Sequence, residues 1–271
     1  MSDAGSSARL NVRWHGSPGG DQAVIVLSHA LGCELGMWDG VVHALQTLRP
    51  NVAVLCYDHR GHGRSEVVPG AFSIDALADD VAALIRREVS RPVHFVGLSM
   101  GGMTAQALAA RHPELVKSIA VANSADHYND EARAMWRARV ELVRRQGVAA
   151  IADGAMQRWF TPDFRADKPP GSAAVVAQLR ARLEAIDAEA YAESCLAVSQ
   201  IDFRKSNTRV ACPALVIAGS LDEATPLAMS EAIQGGIQGA KLAQIAAAHL
   251  SAVEQPEAFA HLLVDFFDAQ P

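Results

Sequence analysis

Long apolar runs are missing from this sequence, and with them any membrane span: no stretch approaches the ~18 residues a transmembrane helix needs. The first residues, Met1-Ser2-Asp3-Ala4-Gly5-Ser6-Ser7, carry an acidic group and no apolar segment. They are expected to be a frayed tail rather than a secretory leader. Cysteine is sparse, and Cys33, Cys56, Cys195 and Cys212 show no Cys-x-x-Cys or Cys-x-x-His spacing. Neither a disulfide framework nor a zinc site is indicated, and a reducing cytoplasm is the expected setting. A dominant charge is lacking as well. With 24 basic against 30 acidic residues the net charge is −6, which gives no field to gather nucleic acid or an anionic membrane. A small anionic substrate, which responds only to local charge, stays open.

Core-forming material is plentiful. Hydrophobic residues fill 50% of the 271 positions and charged residues 20%, so whole-chain disorder is excluded. At ~150 residues per domain the length fits one large domain or two small ones.

Short apolar runs alternate with helical patterns. Ala23 to Ser28 is apolar and rich in β-branched residues, as expected of a strand buried on both faces. Val52 to Tyr57, Val93 to Gly97, Ser118 to Ala122, Ala214 to Ala218 and Lys241 to Ile245 repeat the signature. Leu10 to His15 alternates, which suits an antiparallel edge strand. Between the runs lie amphipathic segments such as Asp75 to Val89, with Leu77, Val81, Leu84, Ile85 and Val89 at helical spacing. This rhythm predicts an α/β fold with a mostly parallel central sheet and helices on both faces. From about His127 to Lys205 the rhythm stops, and only helical patterns rich in Ala, Arg and Glu appear. A segment far longer than an ordinary connection of ~2–6 residues reads as an inserted helical cap. The expected organisation is a core of residues 1–126 and 206–271 with a cap at 127–205.

Gly97-Leu98-Ser99-Met100-Gly101-Gly102 follows a predicted strand and opens a predicted helix. A sharp strand–turn–helix needs glycine on both sides of its central residue, and it lifts Ser99 above the carboxyl end of the sheet. The Met100 amide, at a helix N-terminus, then points at an oxygen that becomes negative. A serine hydroxyl needs a base, and the base an orienting acid. In the chain order Ser, acid, His, the acid is Asp222, just past the Ala218-Gly219 strand end, and the base is His249, just past Lys241 to Ile245. Glu223 is the rival acid. Thr225-Pro226 is expected to cap and open the following helix. The second oxyanion donor is expected on the loop after the first core strand, His29-Ala30-Leu31-Gly32, at the Leu31 amide.

His15, His43, His94, His112 and His261 fall on predicted surfaces or strands, where structural roles are expected. His59 and His62 lie in Asp58-His59-Arg60-Gly61-His62-Gly63-Arg64-Ser65 without a further ligand pattern. They are expected to hold a loop by hydrogen bonds, and no metal site is expected.

Taken together, the sequence resembles the α/β-hydrolase superfamily and, within it, the 3-oxoadipate enol-lactonases, from about Leu10 to Phe267. The resemblance is carried by Met37-Trp38-Asp39, by Tyr57-Asp58-His59-Arg60-Gly61-His62-Gly63, and by Gly97-Leu98-Ser99-Met100-Gly101-Gly102-Met103. It continues in Arg158-Trp159-Phe160-Thr161-Pro162, in Leu215-Val216-Ile217-Ala218-Gly219 with Asp222 and Thr225-Pro226, and in Ala248-His249-Leu250-Ser251 with Glu254-Gln255-Pro256-Glu257. The elbow and triad are superfamily-wide; the Arg-Trp-Phe-Thr-Pro and Ala-His-Leu-Ser strings are more specific to the lactonases. Two departures stand out. The family usually has Asn-Ser-Leu-Gly where this chain has His29-Ala30-Leu31-Gly32, and a second proline where it has Leu227.

The resemblance implies hydrolysis of a small lactone through a serine acyl-enzyme, in aromatic catabolism and without a cofactor. Such a lactone carries an acetate arm, so the pocket needs a positive group. Trp136, Arg139, Val140 and Val143 share one helical face of the cap. If that face looks onto Ser99, Trp136 covers the ring and Arg139 meets the carboxylate; otherwise Trp136 and Val143 pack the cap and Arg139 is solvated. Arg158 and Trp159 are comparable candidates, and Arg60 is expected to be structural. The same elbow, triad and cap also fit a broader carboxylesterase, a cofactor-free perhydrolase, or a small-molecule receptor of this fold.

Overall fold

The computed structural model describes residues 8–19 and 24–270. The Met1–Ser7 tail and Ala23, the first residue of the expected first core strand, lie outside the described residues. The strands are β1 (Val12–His15), β2 (Val24–Ser28), β3 (Ala53–Tyr57), β4 (Val93–Leu98), β5 (Val116–Ala122), β6 (Ala214–Gly219) and β7 (Lys241–Ile245). They form one sheet in the order β1-β3-β2-β4-β5-β6-β7. Only β1 runs antiparallel, pairing Val12 with Tyr57 and His15 with Val54.

Every residue of β2, β3, β4 and β6 is buried. Such strands need cover on both faces, and their apolar, β-branched content supplies surface for helices to pack on. β7 departs from the expected buried signature: it is an edge strand with Lys241 and Gln244 exposed.

The helices of the first half are α1 (Asp39–Leu48), α2 (Ile74–Glu88) and α3 (Met100–Arg111). Next come α4 (Asp130–Gln146), α5 (Ala149–Trp159), α6 (Pro162–Arg165), α7 (Ser172–Glu184), α8 (Ala188–Ser199) and α9 (Arg204–Asn207), all between β5 and β6. Last are α10 (Leu227–Gly236), α11 (Ser251–Glu254) and α12 (Pro256–Asp268). Against the sheet, α1 packs with α12 and α2 with α3. The segment expected at Asp75 to Val89 begins one residue earlier, because the Ser73 hydroxyl caps it by accepting from the Ala76 amide at 3.3 Å. Between β5 and β6, α4 packs along α8.

The chain runs outward from β2 to β3, then crosses back to β4 and proceeds the other way through β5, β6 and β7. The reversal opens a crevice at the carboxyl ends of β2 and β4, where parallel α/β sheets place their ligand sites. Ser99 follows β4, and the Leu31 turn follows β2.

Candidate active site

Ser99 stands between β4 and α3 with φ 57° and ψ −114°. A non-glycine residue held there is strained, and such strain persists only where its surroundings enforce it. The enforcement is visible. The Ser99 amide donates to the Ala122 carbonyl at 2.8 Å, and the Ser99 carbonyl accepts from the Met103 amide at 2.9 Å and from the Ser124 hydroxyl at 2.8 Å. The flanking glycines are steric requirements. A Cβ on Gly97 would overlap the Gly101 carbonyl, and one on Gly101 would overlap the Ser28 carbonyl of β2.

His249 meets this serine from the loop after β7. Its Nε2 lies 3.0 Å from Ser99 Oγ, and its Nδ1 lies 2.9 Å from Asp222 Oδ2. Since Asp222 is acceptor-only when ionised, Nδ1 carries the ring proton and Nε2 is free to take the one on Ser99. Asp222, on the loop after β6, is 6% exposed. Its Oδ1 accepts from the Ala224 and Thr225 amides at 2.8 and 3.0 Å, and its Oδ2 from the Thr225 hydroxyl at 2.6 Å and Asn123 Nδ2 at 2.9 Å. Burial would raise the carboxyl pKa, but His249 and these donors outweigh it and hold the group ionised, below the usual carboxylate range.

Thr225 was expected to cap the next helix. Instead the N-cap is Pro226, and the helix begins at Leu227, because the Thr225 hydroxyl is committed to Asp222. Glu223 is exposed, and the acid hydrogen-bonded to His249 is Asp222. Asn123 had no sequence signal. It holds a positive φ of 46° at the end of β5, gives Nδ2 to Asp222 and accepts from the Ser251 hydroxyl on Oδ1 at 2.5 Å.

Ser99 and His249 border a cavity of about 360 Å³. Leu31, Ser99 and His249 form its floor, and Tyr128, Trp136, Arg139, Arg158, Trp159 and Tyr191 line it from the β5–β6 segment. Asp222 sits behind His249, and Met100 lies buried at the start of α3. Of the helical face expected around Arg139, Trp136 and Arg139 thus reach the cavity, while Val140 and Val143 are buried in the packing of α4. The Arg139 guanidinium lies 4.5 Å from the Trp136 ring centre. Among the described residues neither Arg139 nor Arg158 is paired with a carboxylate. Burial, then the charge of Arg139, pulls the Arg158 pKa below its usual value. Glu223 also lines the cavity but forms an ion pair with neither guanidinium, so both are available to an anion.

Trp159 packs on the Gly32 turn, and its carbonyl accepts from the Leu250 amide beside His249 at 3.0 Å. Glu254 makes a second tie, its carboxylate accepting from the amides of Thr161 and, at 2.9 Å, Ala248. The two lactonase-like strings found in the sequence are therefore hydrogen-bonded to each other. Arg60 pairs with buried Asp80 at 2.6 Å, away from the cavity. His59 and His62 are fully buried and bond to Ser28 and to the Gly32 amide. Among the described residues no group of three or more His, Cys, Asp or Glu side chains is arranged to hold a metal ion, and no helix is long and apolar enough to cross a membrane.

The family model for the alpha/beta hydrolase fold matches residues 23–256. The chain is 40% identical over 241 residues to 3-oxoadipate enol-lactonase 2 of Acinetobacter baylyi, covering 89% of this chain and 87% of that one. It is 34% identical to 3-oxoadipate enol-lactonase 1 of the same organism, with the same coverage. Its structure resembles the crystal structure of the enol-lactonase from Burkholderia xenovorans LB400, with a TM-score of 0.90, 36% identity, and 97% and 98% of the two chains covered.

Proposed function

Because the chain belongs to the α/β-hydrolase family, we propose that it is a serine hydrolase that opens a small anionic lactone, 3-oxoadipate enol-lactone, to 3-oxoadipate. The observation that carries this reading is the continuous Ser99–His249–Asp222 hydrogen-bond chain at a cavity lined by Arg139 and Arg158, neither of them ion-paired. The choice of lactone is supported by the 40% and 34% identical relatives, which are 3-oxoadipate enol-lactonases.

Ser99 Oγ attacks the lactone carbonyl while His249 Nε2 takes its proton, and Asp222 stabilises the imidazolium and keeps its orientation. The amides of Leu31 and Met100 donate to the oxyanion; removing one such donor typically costs ~3–4 kcal/mol of transition-state stabilisation. Collapse breaks the ring C–O bond and expels an enolate, which becomes the ketone by taking up the proton that His249 releases, leaving the imidazole neutral again. An enolate is a better leaving group than an alkoxide, so the step needs little acid assistance. Water then attacks the acyl-enzyme, giving its proton to His249, and Ser99 Oγ leaves with that proton as the linear keto acid departs. No cofactor or metal enters these steps. Arg139 and Arg158 bind the substrate carboxylate, and Trp136 and Trp159 cover the ring. Residues 127–205 act as a cap that closes over the bound substrate and limits bulk water in the cavity to what hydrolysis uses. The setting is cytoplasmic breakdown of aromatic compounds.

Steady-state kinetics on the enol-lactone beside short p-nitrophenyl esters tests the proposal. A kcat/KM at least ~100-fold higher for the lactone is expected, and equal values on both would make the protein a broader carboxylesterase. Ser99→Ala should abolish turnover with the unfolding midpoint little changed; near-normal turnover would remove Ser99 as nucleophile.

A further inference from the structure

The turn after β2 is held by three buried imidazoles whose contacts converge on one amide. We propose that His29 and His62 are positioning residues for the oxyanion pocket: acting on either side of Leu31, they fix the two peptide planes that aim its N–H. The inference rests on the reading of Ser99 as nucleophile and of the Leu31 amide as oxyanion donor.

The first plane joins Ala30 to Leu31. Its carbonyl oxygen accepts from His29 Nδ1–H at 2.8 Å and from the Cys33 amide at 3.0 Å. In a trans peptide C=O and N–H point opposite ways, so anchoring the oxygen sets the direction of the Leu31 N–H. The second plane joins Leu31 to Gly32, and its N–H donates to His62 Nε2 at 3.2 Å. Gly32 has φ 81°, and Trp159 and Leu183 close over it from α5 and α7, leaving no room for a side chain.

The imidazoles fix one another's tautomers. His29 Nε2 accepts from the His59 amide at 2.9 Å, which leaves the His29 proton on Nδ1, facing Ala30. His62 Nδ1–H donates to the Arg60 carbonyl at 3.2 Å, which leaves Nε2 as acceptor for Gly32. The His59 ring bonds to Ser28 Oγ at 2.9 Å, and that hydroxyl meets the Tyr57 phenol at 2.7 Å. The rings lie close, with centroids 4.7 Å apart for His29–His59 and 5.3 Å for His29–His62.

The two contacts in which a ring nitrogen accepts, His29 Nε2 from the His59 amide and His62 Nε2 from the Gly32 amide, need neutral rings, since a protonated His62 would face the Gly32 N–H with a second donor. Burial keeps the rings neutral and pushes the His62 pKa down to about 3. The charged groups around the set are satisfied elsewhere. Asp58 accepts from Asn11 Nδ2 and the Leu35 and Arg64 amides. Arg60 pairs with Asp80, and Arg182 of α7 with Glu34. The arrangement is therefore insensitive to pH across the neutral range.

The test compares variants of equal shape and opposite hydrogen-bonding capacity in the full-length protein. Glutamine at position 62 offers an amide oxygen to the Gly32 N–H, and methionine offers no comparable acceptor. On the enol-lactone, with reactive serine counted by end-point fluorophosphonate labelling, His62→Met should lower kcat at least tenfold with KM within threefold of the parent. His62→Gln should keep kcat within threefold. Equal kcat in the two variants would overturn the inference, because a packing role does not distinguish them. Should His62→Met not fold, His29→Asn against His29→Leu carries the same comparison, since only the asparagine donates to the Ala30 carbonyl. The underlying reading fails separately, if Ser99→Ala turns over the lactone undiminished.

Discussion

Both oxygens of Asp222 are saturated with donors, and the donors come from three places in the chain: the β5 end through Asn123, the β6 loop through Ala224 and Thr225, and His249. Asn123→Ala removes one charge-assisted donor at a buried carboxylate, a contact worth ~1.5–3 kcal/mol. The expected outcome is a roughly tenfold fall in kcat with KM little changed, measured on the enol-lactone. At Arg139 the effect should fall on binding instead. Arg139→Ala is expected to raise KM for the anionic lactone about tenfold while leaving KM for a neutral p-nitrophenyl ester within threefold; equal changes on both would argue against a carboxylate contact. That Ser99, Asp222 and His249 meet was legible in the sequence because each sits at a fixed offset from a strand end. Asn123 was not, since a lone asparagine after a strand looks like any turn residue, and its role depends on a carboxylate 99 positions away. Tyr128, in the loop before α4, and Tyr191, on α8, were hidden too: nothing local marks which way either ring faces.

At the scale of elements, the apolar strands were readable because burial on both faces leaves no polar position to blur the run. α4 was only half readable. Its periodicity gave the face of Trp136, Arg139, Val140 and Val143, but not that the face divides between a cavity and the packing of the helix. The short helix α11 has a role its length does not announce, because Glu254 at its end joins Thr161 to Ala248 next to His249. Glu254→Ala would leave two partly or fully buried amides without their acceptor, at ~1–3 kcal/mol each. A loss of roughly 2 kcal/mol in urea unfolding is expected. Because the tie ends one residue from His249, kcat should also fall severalfold; unchanged stability would mean the amides find other acceptors.

The whole molecule carries a set of histidines held neutral by burial: His29, His59, His62 and His94, with His62 pushed down to about 3 and His94 to about 4 from 6.5. Once unfolded, each regains its ordinary affinity for a proton. Between the folded and unfolded pKa values the unfolded chain binds more protons, so stability rises with pH across that window and falls on acidification. For His62 the window runs from about 6.5 down to about 3. Asp222 adds to the loss further down, as its carboxylate is protonated below its ordinary range. Urea unfolding between pH 7 and pH 4.5 should show stability dropping with a slope that His62→Gln lessens by roughly 1 kcal/mol per pH unit, one proton's share. An unchanged slope would mean that His62 is protonated in the native protein.

The long run of helices leaves the sheet after β5 and rejoins it before β6 at almost one spot. There His127 bridges Asp202 and the Phe203 amide donates to the Asp126 carbonyl at 2.7 Å. A stem this narrow makes the run exchangeable. A foreign helical module grafted at these junctions would keep the host's Ser99 turn with its hydrogen-bonded His249 and Asp222 while bringing its own walls to the cavity, so the shape of what fits there could change without rebuilding the sheet beneath.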